Sequence, residues 1–320
     1  MRIIIGKIIR YMEEILMGVT KNYKFGGWDN CIRLENNEIE LVITTDIGPR
    51  IIRFAYKDGQ NLFKEFSDQL GKTGGDEWRL YGGHRLWHAP EEVPRTYFPD
   101  NAPVGFECSG NTVKLLQDTE TTTGIQKEME ITLDQKENSV KVLHRLINKN
   151  LWEIELTPWA LSVMANGGRA IIPQEPYQVW EENKLPVRSM VMWSYNDMKD
   201  PRWIWGSKYI QLKQDPKAKT RQKLGLLNTP GWAGYYLNGE LFVKRYGYDP
   251  DADYVDLGCN TEIYTDWDIL EVETLGGKTP VAPGGSVEHL ERWYLFKADL
   301  KEYEKSLDND LMPLIGRTSF

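Results

Sequence analysis

Residues that commonly advertise chemistry are scarce in this chain: 320 residues include four histidines and three cysteines, and no uninterrupted apolar run is long enough to cross a bilayer as a helix. Cys31, Cys108 and Cys259 are odd in number and widely spaced. They build neither a disulfide framework nor a paired metal knuckle, and they fit a reducing cytoplasm. Positive charge is short as well, with 39 Lys and Arg against 47 Asp and Glu and a formal net charge of −8. The one basic run, Lys217 to Lys223, reads as a solvated loop, so neither nucleic acid nor an anionic membrane is an expected partner. A Gly-rich phosphate loop, a GxSxG elbow, a Cys/His nucleophile pair and a dinucleotide fingerprint are all missing, and no cofactor is expected.

Aromatic residues, by contrast, are plentiful. Twelve Trp and 16 Tyr exceed what a core of this size requires, and their flat apolar faces with polar edges suit stacking against sugar rings. Beyond the first residues, period-two alternation and Gly, Pro, Asn and Asp turn clusters dominate. Fifteen or more candidate strands and no convincing amphipathic helix before Lys301 to Leu307 predict an all-β protein, a large antiparallel β-sandwich with few short helices. No linker composition divides it, so residues 21–320 are read as one domain. Residues 1–20 form an N-terminal extension. Ile4, Ile8, Met12 and Ile15 recur at helical spacing there, while Met17 is an equally plausible start. The sequence does not determine the oligomeric state.

Two segments without strand pattern, Ser67 to Ala102 and Asn196 to Gly206, read as long functional loops. The first holds Tyr81-Gly82-Gly83-His84-Arg85-Leu86-Trp87-His88, whose glycines would allow close approach to a ligand. Arg85 would grip a carboxylate or hydroxyls, and His84 would move a proton near neutral pH. His84 and His88 have the i, i+4 spacing of a helical metal pair, but Gly-Gly before and Pro90 after oppose a helix, and a metal is not expected. Either a ligand role or a backbone-bonded packing role suits His88; His144 and His289 read as structural.

The segment DWDILEVETLGG, Asp266 to Gly277, places Glu271 and Glu273 on one face of an apolar strand. A turn at Thr265 to Asp268 would fold Gly258 to Tyr264 back against it and bring Glu262 near Glu273, a carboxylate pair of the kind that supplies an acid and a base. Lys244, in phase with Phe242, is expected to point inward and to pair with one of these glutamates. Trp232, with Trp203 and Trp205, is expected to wall a sugar pocket.

TTDIGPRIIRF, GGHRLWHAPE, LTPWALSVMANGGRAIIP, DPRWIWG, GCNTEIYTD and LEVETLGG with VAPGGSVEHLERWYLF resemble the galactose mutarotase-like superfamily, over about Ile39 to Phe296. That superfamily includes the aldose 1-epimerases and glucose-6-phosphate 1-epimerases. The resemblance implies a β-supersandwich that opens and recloses a hexose ring, with a small carbohydrate as partner. In the epimerases a strand of the type CVE before a Pro-Gly turn carries the glutamate base, which implies that role for Glu273. Their GGIP-type loop resembles Gly82 to Arg85. The strand that carries their acid histidine resembles Leu161 to Ala165, which contains no histidine. This departure leaves three alternatives: an acid supplied by His84 or His88, a protein that binds carbohydrate without catalysis, or a carboxylate-pair lyase or glycosidase using Glu262 and Glu273. Arg85, Trp87, His88, Lys244, Glu262, Glu271 and Trp232 are the expected substrate-binding residues.

Overall fold

The computed structural model describes residues 18–320, so the leader helix expected at the N-terminus lies almost wholly outside the described residues. In chain order the strands are β1 (Val19–Phe25), β2 (Trp28–Glu35), β3 (Ile39–Thr44), β4 (Arg50–Tyr56), β5 (Gly83–Ala89), β6 (Gly105–Ser109), β7 (Thr112–Leu116), β8 (Ile125–Leu133), β9 (Ser139–Asn148), β10 (Ile154–Met164) and β11 (Arg169–Pro173). They continue with β12 (Met190–Met192), β13 (Trp203–Trp205), β14 (Tyr209–Lys213), β15 (Gln222–Leu226), β16 (Trp232–Leu237), β17 (Glu240–Tyr246), β18 (Thr261–Thr265), β19 (Leu270–Leu275), β20 (Thr279–Val281) and β21 (Ser286–Lys297). One sheet runs β1-β2-β3-β4-β5-β10-β19-β18-β15-β12, with β20 beside β10; the other runs β13-β14-β11-β16-β17-β21-β9-β8-β7-β6.

Alternation along each strand sends one row of side chains between the sheets and the other row outward. Leu86, Met164, Val272, Ile263 and Leu224 of the first sheet meet Val142, Leu146, Phe242 and Trp293 of the second in one continuous core. Its centre is an aromatic knot of Phe54, Phe63, Phe242 and Trp293, with ring centroids 5.6–6.2 Å apart. Truncating Phe242 to Ala there would cost on the order of 3–5 kcal/mol.

The second sheet's outer face is closed by three consecutive short helical segments, Glu304–Ser306, Leu307–Leu311 and Met312–Ile315. Leu307, Leu311 and Ile315 pack there on Tyr209, Leu241, Val243 and Trp232. Trp232 is therefore a core residue of that outer layer and walls no sugar pocket. Among the described residues no helix is long and apolar enough to cross a membrane.

The first expected loop contains β5, a central strand buried at every position. Its sequence GHRLWHA lacks alternation because its two faces serve different polar environments, so period two is invisible in the hydrophobic pattern. Gly82 and Gly83 explain its entry: at φ +101° and +73°, a Cβ on either would fall 1.9 Å from the Lys64 carbonyl oxygen and 2.3 Å from that of Ile51. These glycines admit the neighbouring backbone, not a ligand.

Candidate functional site

β18 and β19 form the anticipated hairpin, closed by Asp266, whose Oδ1 accepts from the amides of Asp268 at 2.7 Å and Ile269 at 2.9 Å. This Asx-type turn sets the register in which Glu262 lies directly opposite Glu273. The register continues across neighbouring strands, pairing Glu273 with Leu161 and Leu161 with Arg85. One residue row further, Glu271 opposes Tyr264, and Tyr264 opposes Lys223. Antiparallel partners share a face, so Arg85, Trp87, Trp159, Leu161, Lys223, Glu262, Tyr264, Glu271 and Glu273 all project from the outer face of the first sheet.

That face forms the floor of a hollow of about 460 Å³, walled by Trp78, Trp87, Trp159, Trp193, Tyr97 and Tyr195, with Arg85, Lys223, Glu271 and Glu273 in its lining and Glu91 and Arg221 at its exposed rim. Glu273 is fully buried, and its Oε2 accepts from the Trp159 indole N–H at 2.9 Å and from Lys223 Nζ at 3.2 Å. Lys223 Nζ also lies 2.7 Å from Glu262 Oε2, with the Trp159 and Trp193 rings 4.8 and 4.7 Å away. Arg85 stacks on Trp87 at 4.1 Å and reaches Glu271 Oε1 at 3.4 Å.

Electrostatics separate these groups. Burial raises the Glu271 carboxyl to about 7, against the opposing pull of Arg85. Burial also holds Glu262 well above the carboxylate range, although Lys223 draws it down. The two glutamates in turn hold Lys223 protonated, well above its ordinary value, against the desolvation that opposes it. Burial raises the Tyr195 phenol to about 12. Glu273 Oε1, Arg85 Nε and Nη1, and Trp87 Nε1 are buried without a hydrogen-bond partner among the described residues. Each such orphan costs about 1–3 kcal/mol unless something polar reaches it.

Several expected residues lie elsewhere. His84 and His88 have the opposite parity to Arg85 on β5 and face away from the hollow, so the proposed pairing of His84 with Glu273 fails. His84 Nδ1 lies 2.8 Å from Ser162 Oγ and its Nε2 lies 2.7 Å from His144 Nε2, while His144 Nδ1 lies 2.9 Å from the His289 carbonyl oxygen. The carbonyl can only accept, so His144 donates from Nδ1, accepts from His84 Nε2–H, and leaves His84 Nδ1 to accept from Ser162. Burial pushes His84 well below the usual imidazole range, consistent with this neutral chain. His88 Nδ1 lies 2.7 Å from Arg95 Nη1, with Glu120 at 3.6 Å from Nε2.

Lys244 does point inward, but into the core between the sheets, where its Nζ meets Glu291 Oε1 at 2.9 Å instead of a β19 glutamate. His84, His144 and Glu291 each bring one ligand-type atom within 4.8 Å of the others. Hydrogen bonds already engage all three, Glu291 Oε2 through the Trp293 indole N–H at 2.7 Å. Trp203 and Trp205 stack on each other at 4.8 Å and do not line the hollow. Missing from the expectations were Lys223 and Arg221, within the run read as solvated, together with Trp78, Trp159, Trp193, Tyr97, Tyr195 and Tyr264. The available signal for Lys223 was its place at the start of a strand, QKLGL, where alternation gives it one definite face.

No family model and no curated protein matches the sequence. Solved structures do match. A galactose mutarotase-like protein from Lactobacillus casei superposes with a TM-score of 0.52 at 10% identity, covering 83% of this chain and 100% of that one. A candidate aldose 1-epimerase from Escherichia coli K12 gives 0.51 at 13%, covering 84% and 99%. A TPR-domain containing protein from Parabacteroides distasonis gives 0.54 at 14%, covering 85% of this chain, which spans only 48% of that protein's length. The two antiparallel sheets and the superpositions on the Lactobacillus casei and Escherichia coli proteins agree on one architecture: the chain has the galactose mutarotase-like fold.

Proposed function

We propose that the hollow binds a monosaccharide unit and interconverts its anomers, with Glu273 as base and Glu271 as acid. The observation that carries this reading is a single hollow in which orphaned polar atoms of Arg85, Trp87 and Glu273 lie among four indoles beside a carboxyl titrating about 7. Sugar hydroxyls relieve such orphans, and indole faces cover the apolar side of a pyranose.

In the reaction Glu273 takes the anomeric hydroxyl proton while Glu271, protonated, delivers one to the ring oxygen. The bond between the anomeric carbon and the ring oxygen breaks, giving the open aldehyde. After rotation, the reverse transfers close the ring on the other face and restore both carboxyls. Lys223 holds Glu273 in place, and Arg85 holds Glu271.

Glu262 takes no direct part. Lys223 Nζ bridges it to Glu273, 2.7 and 3.2 Å from the two carboxyl groups, and so occupies the gap a scissile glycosidic bond would need. That geometry disfavours a Glu262/Glu273 glycosidase or lyase. Exchange NMR on a panel of aldoses should show anomer exchange above the uncatalysed rate for at least one sugar and its loss in Glu273→Gln. Saturable binding with no acceleration for any sugar would replace this reading with non-catalytic carbohydrate binding, which the lack of any histidine in the hollow would then explain.

A further inference from the structure

The hollow does not end at Lys223. A second one, of about 370 Å³, lies against it, and Glu91, Trp159, Trp193 and Lys223 belong to the walls of both. Its far side is formed by Glu92 and Asp256, from the connections that follow β5 and β17. Each hollow is large enough for a small ligand by itself, the usual range being about 300–1,000 Å³. Two that share four walls make one trough with a waist. The waist is rigid: Lys223 is tied to Glu262 and Glu273 and sits between two indoles, so it does not swing aside as a gate.

The two halves differ in charge. The first combines Arg85 and Arg221 with Glu271 and Glu273. The second offers Glu91, Glu92 and Asp256 and, among the described residues that line it, no cation beyond Lys223. Among the described residues the carboxylates of Glu92 and Asp256 take part in no hydrogen bond or close ion pair, and Arg95 attracts Glu92 only from beyond ion-pair distance, so both keep acceptor positions for a ligand. Three carboxylates on one wall repel a ligand of like charge, whereas hydroxyls and amines donate to them.

We infer that the trough takes a disaccharide-sized saccharide: its reducing unit fills the hollow floored by Glu273, and its second unit, which carries no negative charge, lies past Lys223 against Glu92 and Asp256. This rests on the reading of the first hollow as a sugar site and extends it to ligand length and charge.

The test is binding to the full chain, followed by tryptophan fluorescence and calorimetry, with glucose, galactose, glucosamine, maltose, cellobiose, lactose and glucosaminyl-β-1,4-glucosamine, and with glucuronosyl-β-1,4-glucose as the anionic counterpart of cellobiose. At least one neutral or amine-bearing disaccharide should bind tenfold or more tighter than its reducing monosaccharide. Glu92→Gln with Asp256→Asn should remove most of that advantage and leave monosaccharide affinity unchanged; both residues lie outside the core, so an unchanged melting temperature verifies the fold. Monosaccharides binding as well as every disaccharide, or a double variant that keeps the full advantage, would overturn the inference and leave the sugar site standing. A glucuronosyl disaccharide binding as tightly as cellobiose would overturn its charge component. If no saccharide of either length binds, the sugar-site reading itself fails and takes this one with it.

Discussion

Glu271 illustrates how much a single residue's surroundings decide. Its carboxyl titrates about 7 when folded, above the ordinary carboxylate value, so its contribution to stability is fully present below about 4.5 and is lost as pH climbs through 7. Glu271→Gln, which cannot ionise, should therefore gain on the wild type between pH 5 and 8, reaching a relative stabilisation of about 2–3 kcal/mol at the upper end. Denaturant midpoints measured across that range check this, and a constant difference would mean that the carboxyl is not raised. The same group should shape catalysis: anomer exchange falls as pH rises past 7, and Arg85→Met, which removes the cation opposing the shift, moves that midpoint higher. His84 is the converse case. Because it faces the inter-sheet core, His84→Gln should lower stability by about 1–3 kcal/mol through its broken chain of hydrogen bonds while sugar affinity and exchange rate stay near the wild type. A large loss of rate in a folded His84→Gln protein would return it to the mechanism.

At the scale of elements, β5 and the β18–β19 hairpin place the site, and they differ in how openly the residues announce them. Alternation through LEVET and the acidic turn before it make β19 and its pairing with β18 readable directly. β5 hides because polar His84 and His88 flank Leu86 on its inner face while Arg85 and Trp87 of the hollow occupy its outer face, so no apolar period survives. Its entry depends on Gly83, where positive φ and a neighbouring carbonyl both exclude a side chain. Gly83→Ala should cost more stability than Gly167→Ala, which also has positive φ but meets nothing within 4 Å and pays only the conformational penalty of about 1–3 kcal/mol. Urea unfolding of both variants compares the two costs, and equal values would mean that β4 and β5 yield to the methyl group.

Across the whole molecule, charge is divided between two buried layers that share strands but not faces. Outside the first sheet lie the carboxylates, Lys223 and Arg85. Between the sheets, Lys244 and Glu291 form a fully buried pair, with Glu291 held low by Lys244 despite its burial. Removing one partner of such a pair strands the other, at about 3–5 kcal/mol, whereas replacing both with apolar residues is often nearly neutral. Lys244→Met and Glu291→Leu should each destabilise strongly, and the double variant should be more stable than either single one. None should alter sugar affinity, since the altered face is not the one that binds. Chemical denaturation and titration calorimetry on the three proteins test both halves of this prediction.

Composition, alternation and turn residues were enough to determine a large antiparallel β architecture and to put Glu271 and Glu273 on a common face, because strand periodicity is a local property of the backbone. Strand partnership is not local. Only the packed sheets decided that Lys223 bridges Glu262 and Glu273, that Lys244 serves the core, that Trp159 and Trp193 outrank Trp232 and Trp203 as walls, and that His84 turns its back on the glutamates. Each of these choices depends on which distant strand supplies the neighbour and on which side of the sheet its register leaves the side chain.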